Sequence, residues 1–437
     1  MKSSKVMAAL VTMGLAAAVA TPAMALENQF SGAFTSFYDL SNYSASGTLA
    51  KDAATQNYFV QRVRLGYTAK ASEDVKLVTK FELDYNWYGN SSYANARGGG
   101  GALGADTVNL ETKNIYLDLN VAKSLNAKIG MQPYNDSFKG IIFDADMAGL
   151  LLSHEYTNAS VAAGFFRFHD RTNTATWADI NTIGKYTSDM FSLDGKYSVN
   201  KETKLGAAYY YMSDNRVSTP ADKDIRVHTL GINGETAVGP LSLTGFVLTQ
   251  FGKVANDKTA KGMALNLGAK MPLGAGTARA EFLYASGGKD GKSLYIPASD
   301  NGGTEGGGFY DNEMIMLSRD KNATTIDNAI VYDVNNANQG VIFGSVGYDH
   351  TFTPKLSGSA NLGLGFAAKT DKTVTNNKSD FLGTEINCET NYKLMPAVTV
   401  GARAGYVILG DYFKANTGSR PTLDNPYDVK LIAKFSF

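Results

Sequence analysis

The residue types that most often carry chemistry are few in this chain of 437 residues and lie far apart. The four histidines, His154, His169, His228 and His350, lack the spacing of metal ligands. The one cysteine, Cys388, allows no intrachain disulfide framework, Cys-x-x-Cys pair or haem-attachment motif. Two glycine-rich runs, RGGGGALG and GGTEGGGF, lack the Lys-Ser/Thr ending of a phosphate-binding loop. We therefore expect no catalytic residues, no metal and no cofactor, and predict that the protein is not an enzyme.

Charged residues instead recur at every second position, opposite apolar ones. In VKLVTKFELDYNW, the odd positions from Val75 to Trp87 are apolar or aromatic apart from Thr79, and the even positions carry Lys76, Lys80, Glu82 and Asp84. This alternation predicts a strand with one apolar and one charged face, longer than the usual length of about 5–6 residues. The same pattern in LGTEINCETNYKL places Cys388 on the apolar face, where we interpret it as a small hydrophobic residue.

Eighteen segments show this pattern, and the 24 tyrosines, 22 phenylalanines and 45 glycines with only 10 prolines favour strands joined by turns. The predicted strands are 28–39, 57–69, 75–88, 109–121, 126–132, 147–156, 160–168, 189–199, 204–212, 226–236, 241–251, 262–271, 277–285, 340–350, 355–368, 381–393, 397–408 and 427–437. The weakest patterns are those of 147–156, 160–168 and 226–236.

The connections alternate strictly between short and long after the first strand. KASED, AKSLN and NKET are short, whereas the stretch from Ser286 to Gln339 is long and rich in Gly, Asn, Asp and Ser. Short turns at one end of the strands and long loops at the other are typical of a transmembrane antiparallel β-barrel, in which the turns are periplasmic and the loops extracellular. We predict this all-β fold, with 16–18 strands and 18 counted. A soluble sandwich or β-helix is the alternative, but it does not require loops sorted by side.

The first 25 residues resemble a cleaved signal peptide. Lys2 and Lys5 precede an apolar stretch, and Ala23-Met24-Ala25 forms a small-x-small cleavage site. We expect a signal peptide over 1–25 and a barrel over 26–437. Removing Lys2 and Lys5 from 41 basic residues leaves 39 against 41 acidic ones, and this balance gives no support for nucleic-acid binding.

The last segment, YDVKLIAKFSF, carries an apolar stripe from Tyr427 to Phe437. Ten steps of about 3.3 Å, tilted by about 40°, rise by about 25 Å, which is the height of the apolar band of a membrane barrel. A chain with this final strand resembles the outer-membrane porins of Gram-negative bacteria. RVRLGYTAKASEDVKLVTKFELD and KIGMQPYNDSF are most similar to the porins of sulfate- and metal-reducing bacteria.

This resemblance implies a location in the outer membrane, in contact with its lipid, and a homotrimer. It also implies that the barrel-assembly machinery reads the last strand, with Tyr427, Phe435 and Phe437 as the assembly signal.

The polar face of each strand would line the pore, since a barrel of this size encloses a water-filled channel. The basic candidates are Arg62, Arg64, Lys76, Lys80, Arg167, Arg279 and Arg403, and the acidic ones are Glu82, Asp84, Glu281, Glu385 and Glu389. Fixed charges select ions by sign, and the basic excess predicts a slight preference for anions. The alternative is that opposed Lys and Glu rows satisfy one another across strands.

The third long loop, PYNDSFKGIIFDADMAG, contains Ile141-Ile142-Phe143, which a wholly exposed loop would not need. In general-diffusion porins the third loop folds into the barrel and narrows it. By that resemblance Asp136, Lys139, Asp144 and Asp146 would form a constriction opposite basic wall residues such as Arg62, Arg64 and Lys80. The alternative is a loop tucked on the rim or packed against another subunit.

The sequence therefore predicts a porin for passive diffusion of small hydrophilic solutes and ions. Two other functions remain open. One is a solute-selective channel, for example for oxyanions. The other is a barrel that sheathes a multihaem cytochrome as an electron conduit and needs periplasmic or cytochrome partners.

Overall fold

The computed structural model describes residues 26–89, 110–170, 184–215, 225–255, 258–296, 307–320, 329–370, 379–413 and 423–437, apart from the side chains of 84–87 and 255. The predicted signal peptide and the side chain of Asp84 lie outside this part of the chain. None of the described residues forms a helix long and apolar enough to cross a membrane.

The described residues form β-strands in a single sheet. The strands are β1 (Glu27–Ser41), β2 (Gln56–Ser72), β3 (Val75–Trp87), β4 (Glu111–Ala122), β5 (Leu125–Asn135), β6 (Asp144–Glu155), β7 (Ala159–His169), β8 (Ser188–Ser198), β9 (Lys204–Asp214), β10 (Ile225–Val238), β11 (Leu241–Ala255), β12 (Lys258–Thr259), β13 (Met263–Leu273), β14 (Gly276–Ala285), β15 (Val341–Thr353), β16 (Leu356–Ala367), β17 (Phe381–Met395), β18 (Val398–Leu409) and β19 (Tyr427–Ser436).

The sheet closes on itself as an antiparallel barrel. Each long strand pairs with its neighbours in the chain, and β1 pairs with β19 from Ala33↔Ser436 to Ser41↔Asp428. Gly32 and Phe437 extend this seam with two reciprocal backbone hydrogen bonds of 3.0 Å. The two-residue β12 only extends the hairpin of β11, so the wall has eighteen long strands, as predicted. The three weakest patterns correspond to β6, β7 and β10.

The connections are sorted by length between the two ends of the barrel. The short turns, which define the short-turn end, are 73–74, 123–124, 156–158, 199–203, 239–240, 274–275, 354–355 and 396–397. Gly239 and Gly274 hold φ values of 59° and 58° in such turns, a conformation that glycine adopts without a steric cost. Longer connections, including the third loop (136–143) and the seventh loop (286–340), define the long-loop end.

The apolar side chains face outward, which inverts the pattern of a water-soluble protein. In β3, Leu77 is 37% exposed whereas Glu82 is 3% exposed. Other exposed apolar side chains are Leu65, Leu117, Ile129, Leu150, Leu193, Leu230, Ile232, Leu267, Val346, Leu362, Ile386 and Leu431. Cys388 is also exposed, in agreement with its predicted place on the apolar face. The period-2 interpretation of these strands is therefore confirmed.

Aromatic rings gather on the outer face near both ends of the strands. Near the long-loop end, Phe59 lies 4.9 Å from Tyr38 and 5.7 Å from Tyr88 between ring centroids. Near the short-turn end, Phe30 lies 5.2 Å from Tyr67. Tyrosine and phenylalanine at these two levels are typical of aromatic girdles at the two edges of an apolar band.

Inside the seam, a buried charge cluster joins β1 to β19. Lys430 lies 2.7 Å from Asp39 and also contacts Asp428, and all three side chains are fully buried. Ser44 and Tyr58 donate hydrogen bonds of 2.8 and 2.7 Å to Asp39. Lys430 is the ion-pair partner of both carboxylates, and a buried charge that loses its partner is strongly destabilising.

We predict that Lys430→Met destabilises the barrel by about 3–5 kcal/mol, since it removes the ion-pair partner of two buried carboxylates. Lys434→Met is the matched control, because Lys434 lies on the same strand and parity but is only partly buried. Thermal unfolding in detergent should show a clearly lower midpoint for Lys430→Met alone. Equal midpoints for the two variants would contradict the proposed role of this cluster.

Candidate functional site

The third loop is a compact turn built around the carboxylate of Asp136. This carboxylate accepts backbone hydrogen bonds from Phe138, Gly140, Ile142 and Phe143 at 2.6, 3.0, 2.6 and 2.8 Å. The Asp136 N–H in turn donates to the Phe143 carbonyl at 2.9 Å. Asp136 therefore stabilises the loop itself.

The apolar side chains of the third loop pack against the inner wall. Phe138 is fully buried, and its ring lies 5.8 Å from Tyr210 and 5.6 Å from Phe246 between centroids. Gly231 leaves the space for this ring, because a Cβ there would lie 2.6 Å from Phe138 Cζ. Ser137 Oγ donates to Asp194 of β8 at 2.7 Å. The loop therefore leaves its own strands, β5 and β6, and lies inside the barrel against β8 to β11.

The seventh loop also enters the barrel, where one wall carboxylate binds three consecutive N–H groups. Glu385 of β17 accepts hydrogen bonds from Ile315, Met316 and Leu317 at 2.6, 3.1 and 2.7 Å. Glu385 and the apolar run are both buried. A carboxylate that binds several backbone donors forms strong, charge-assisted hydrogen bonds.

Ion pairs fix the seventh loop on either side of this contact. Asp320 forms a bidentate pair with Arg403 of β18 at 3.0 and 2.6 Å, and both side chains are almost fully buried. Glu313 lies 3.1 Å from Arg279 of β14. The three charged wall residues therefore hold the loop and do not face open space.

Glycines on the inner wall receive the side chains of the seventh loop. A Cβ at Gly363 would lie 2.5 Å from Met314 Cγ, and one at Gly405 would lie 2.8 Å from Ile315 Cδ1. A Cβ at Gly365 would lie 3.0 Å from Leu317 Cδ2. The wall is thus shaped to accept this segment, which joins the third loop in one buried apolar cluster.

A polar contact joins the two loops to the wall. Glu281 of β14 forms an ion pair with Lys139 of the third loop and accepts a 3.1 Å hydrogen bond from Asn266 of β13. Asn266 also donates to the hydroxyl of Tyr310 in the seventh loop at 3.1 Å. The two loops and the wall therefore meet at Glu281.

A second charged cluster lies on β2 to β6. Glu82 forms ion pairs with Arg62 and Arg64 and lies 3.8 Å from Lys113. Lys113 also pairs with Asp146 at 2.8 Å. Lys76 and Lys80 share the parity of Glu82 on β3 and have no ion pair or hydrogen bond within the described residues.

The structure corrects the expected surroundings of the third loop. Asp136 binds its own loop, Lys139 binds the acidic Glu281, and Asp146 binds Lys113. Arg62 and Arg64 bind Glu82 instead of the loop. The prediction that Asp136 and Lys139 face Arg62, Arg64 and Lys80 was wrong, because the turn points toward β8 to β11. Asp146 instead joins the cluster of Arg62, Arg64 and Glu82 through Lys113.

Arg167 is a further correction. It lies on the outward parity of β7, pairs with Asp189 at 2.8 Å, and its side chain is 42% exposed. Phe166 is the inward residue and is fully buried. The sequence Phe165-Phe166-Arg167-Phe168 has apolar residues on both faces, so alternation does not identify the inner one.

The remaining predicted residues with described side chains lie on the inner or outer face that alternation predicted, although their roles stay predictions. Residues on the inner face with described contacts are Arg62, Arg64, Glu82, Arg279, Glu281, Glu385, Glu389 and Arg403. Asp144, the first residue of β6, is partly buried. Phe435 and Phe437 are exposed on the outer face, while the Tyr427 hydroxyl lies 2.5 Å from Thr55 Oγ1. Nothing in these positions bears on an assembly signal.

We did not predict from the sequence that the seventh loop enters the barrel, although the sequence carries a signal for it. Met314-Ile315-Met316-Leu317 is an apolar run inside a polar loop, the same kind of signal as Ile141-Ile142-Phe143 in the third loop. Lys113 was also missed, because the register of β3 with β4 shifts between Lys80 and Phe81. Among the described residues, no group of three or more His, Cys, Asp or Glu could hold a metal ion.

Solved structures from Pseudomonas aeruginosa share this barrel. OccK2 (OpdF), solved in complex with glucuronate, is 14% identical with a TM-score of 0.55, covering 94% of this chain and 98% of that one. The outer membrane protein OpdK is 13% identical with a TM-score of 0.53, covering 94% and 98%. OccK5 (OpdH) is 14% identical with a TM-score of 0.52, covering 94% and 98%.

At these identities the likeness shows the fold alone. No protein-family model and no curated protein matches the chain. The narrower resemblance to the porins of sulfate- and metal-reducing bacteria stays a prediction.

We predict that Glu385→Gln loosens the seventh loop, because the amide replaces one of the two acceptor oxygens with an NH2 donor. At least one buried backbone N–H then loses its partner, at a cost of about 1–3 kcal/mol. Limited proteolysis of the purified protein should cleave within 286–340 at least about tenfold faster. Glu235→Gln is the control, since Glu235 pairs with Lys204 on the wall and contacts no seventh-loop residue among those that the structure describes. Equal cleavage of both variants would argue against Glu385 as the anchor.

Asp333 is a largely buried carboxyl group of the seventh loop. Burial raises the pKa of Asp333 to about 7, although the Asn335 N–H, which donates to it at 2.6 Å, lowers that pKa. The folded loop therefore favours the protonated carboxyl, and its stability increases as the pH falls through about 7.

We expect cleavage within the seventh loop to be about 5–10-fold slower at pH 6 than at pH 8, from a stability change of about 1 kcal/mol. Asp333→Asn should abolish this difference, after correction for protease activity with an unstructured substrate. Asp290→Asn, at an exposed residue of the same loop, should keep it. A pH effect that persists in Asp333→Asn would assign it to another group.

Proposed function

We propose that the chain forms an outer-membrane channel for diffusion of small hydrophilic solutes and ions, narrowed by the third and seventh loops. One observation carries this proposal: two loops fold into a closed barrel whose outer face is apolar and whose inner face is charged. A barrel of eighteen strands without such loops would leave a wide aqueous channel. The inserted loops reduce it to a passage for small solutes.

The outer face supports placement in a membrane. Exposed Leu, Ile and Val side chains occupy the middle of the strands, with aromatic rings near both ends. Lys or Arg turned toward lipid at mid-depth would cost about 2–4 kcal/mol, and the inner face holds these residues instead. The fold shared with OpdK, an outer membrane protein, agrees with that location. The long loops would then lie outside the cell.

The exposed charge in the second cluster supports a slight preference for anions. The side chains of Arg64 and Lys113 are 37% and 28% exposed, whereas that of Glu82 is 4% exposed beneath them. Lys76 and Lys80 add positive charge at the same parity. A permeating ion would therefore meet cations more directly than carboxylates.

The decisive experiment is recording from the purified protein in a planar bilayer. We expect discrete, ohmic steps of current. Under a KCl gradient, the sign of the reversal potential should show that chloride permeates more readily than potassium. Lys76→Gln with Lys80→Gln should shift this potential toward zero, and Lys123→Gln, in a short turn, should leave it unchanged. Absence of any conducting step would refute the channel.

A solute-selective channel is the second candidate, and the seventh loop favours it. Unselective diffusion requires only a narrow pore, which does not need a precisely positioned loop. The seventh loop, in contrast, is fixed by several specific contacts with the wall. OccK2, which shares the fold, was solved with glucuronate. Saturable block of the current by one solute class would favour selectivity, and size-dependent exclusion alone would favour general diffusion.

The inserted loops weigh against the electron-conduit interpretation. A sheath for a cytochrome needs an open interior, and the buried apolar cluster formed by the third and seventh loops occupies that space. We therefore do not propose it. The homotrimer and recognition by the barrel-assembly machinery remain predictions.

A further inference from the structure

A cavity of about 490 Å³ lies below the third loop, toward the short-turn end of the barrel. Ser137 and Lys139 of the third loop form one side of it, and turn residues 156–158 lie at the other. Asn233, Thr244 and Asn266 contribute from the wall. Its volume is within the range of about 300–1,000 Å³ that small-molecule sites occupy.

Glycines on the inner wall make room for polar side chains at this cavity. A Cβ at Gly206 would lie 2.6 Å from Asn233 Oδ1, and one at Gly268 would lie 2.6 Å from Thr244 Oγ1. These side chains therefore lie flat over glycine on the neighbouring strands. The cavity is formed by the wall itself and by the third loop above it.

The charges around the cavity are balanced. Lys139 pairs with Glu281, and Lys204 pairs with Glu235 at 2.6 Å. The two other charged residues that line it, Lys196 and Glu155, have opposite signs. The lining holds three lysines and two glutamates, and Glu281, which pairs with Lys139 from outside the lining, brings the sum of charges to zero.

Two amides at the cavity have polar atoms without a protein partner. Asn233 Nδ2 is a buried donor and Asn266 Oδ1 a buried acceptor, and neither makes a hydrogen bond within the described residues. Asn266 is fully buried, and its Nδ2 is fixed by the Phe282 carbonyl at 2.8 Å. A buried polar atom without a partner is unfavourable unless a ligand or water binds it. A hydroxyl group satisfies either atom, since it both donates and accepts.

We propose that this cavity is a binding site for an uncharged, polyhydroxylated solute on its way through the channel. The proposal rests on the proposed function, because it places the cavity on the path of permeation. Asn233 and Asn266 would bind hydroxyl groups, while the paired charges around them disfavour a net-charged solute. The third loop positions the solute through Ser137 and Lys139.

The test is current block in a planar bilayer by maltose added on either side. We expect a concentration-dependent, saturating reduction of the open-channel current. Asn233→Ala should weaken the apparent affinity about 3- to 10-fold, the usual effect of one lost hydrogen bond. Asn361→Ala is the matched control, because Asn361 is an inner-wall amide with an unpaired oxygen at a different cavity, and it should leave the affinity unchanged.

The other outcomes separate this proposal from the channel itself. Normal steps without saturable block by maltose would overturn the binding site and leave the channel intact, whereas absence of steps would refute the channel. Saturable block by gluconate but not by maltose would overturn the assignment to an uncharged solute. Both variants must show the wild-type conductance without sugar, which reports an intact barrel. Equal loss of affinity in both would also contradict the site.

Discussion

Closure of the wall between β1 and β19 is the constraint on which the rest of the structure depends. Once the sheet is closed, every strand residue faces either outward or inward, and successive side chains alternate between the two. The outer face is apolar although no layer of the protein covers it, and the inner face collects the charges. Lys430 forms ion pairs with two carboxylates, Asp39 and Asp428, on the inner side of the seam.

An interior of this width must be filled or left open to water, and this chain fills part of it with its own loops. The third loop is preorganised by Asp136, whose carboxylate binds four N–H groups of the same turn. The seventh loop is held by the wall, through Glu385 and Arg403. One loop thus carries its own anchor, and the other depends on strands distant in sequence.

These two modes of anchoring explain what the sequence could and could not predict. Alternation predicted the eighteen strands and most inner residues, because the period of a strand is a local property. It failed at Arg167, where apolar residues occupy both faces. The resemblance to general-diffusion porins, together with its apolar run, implied an inward path for the third loop. Its partners were not predicted, since Tyr210 and Gly231 become neighbours of Phe138 only in the closed barrel. Glu385 was predicted only as a pore-lining acid, because nothing near it in the chain shows that residues 315–317 cover it.

The most direct test of the account is a disulfide between the seventh loop and the inner wall. Met314→Cys with Gly363→Cys, in a Cys388→Ser background, places two thiols where Met314 Cγ lies 2.5 Å from the Cβ position of residue 363. We expect efficient oxidation, seen as a mobility shift on a gel, with the single-channel conductance unchanged because the loop already lies inside. Met314→Cys alone, with the outward Cys388 retained, should form no intramolecular bond. If both engineered thiols react with a maleimide yet form no disulfide, the seventh loop does not lie in the barrel and the account fails.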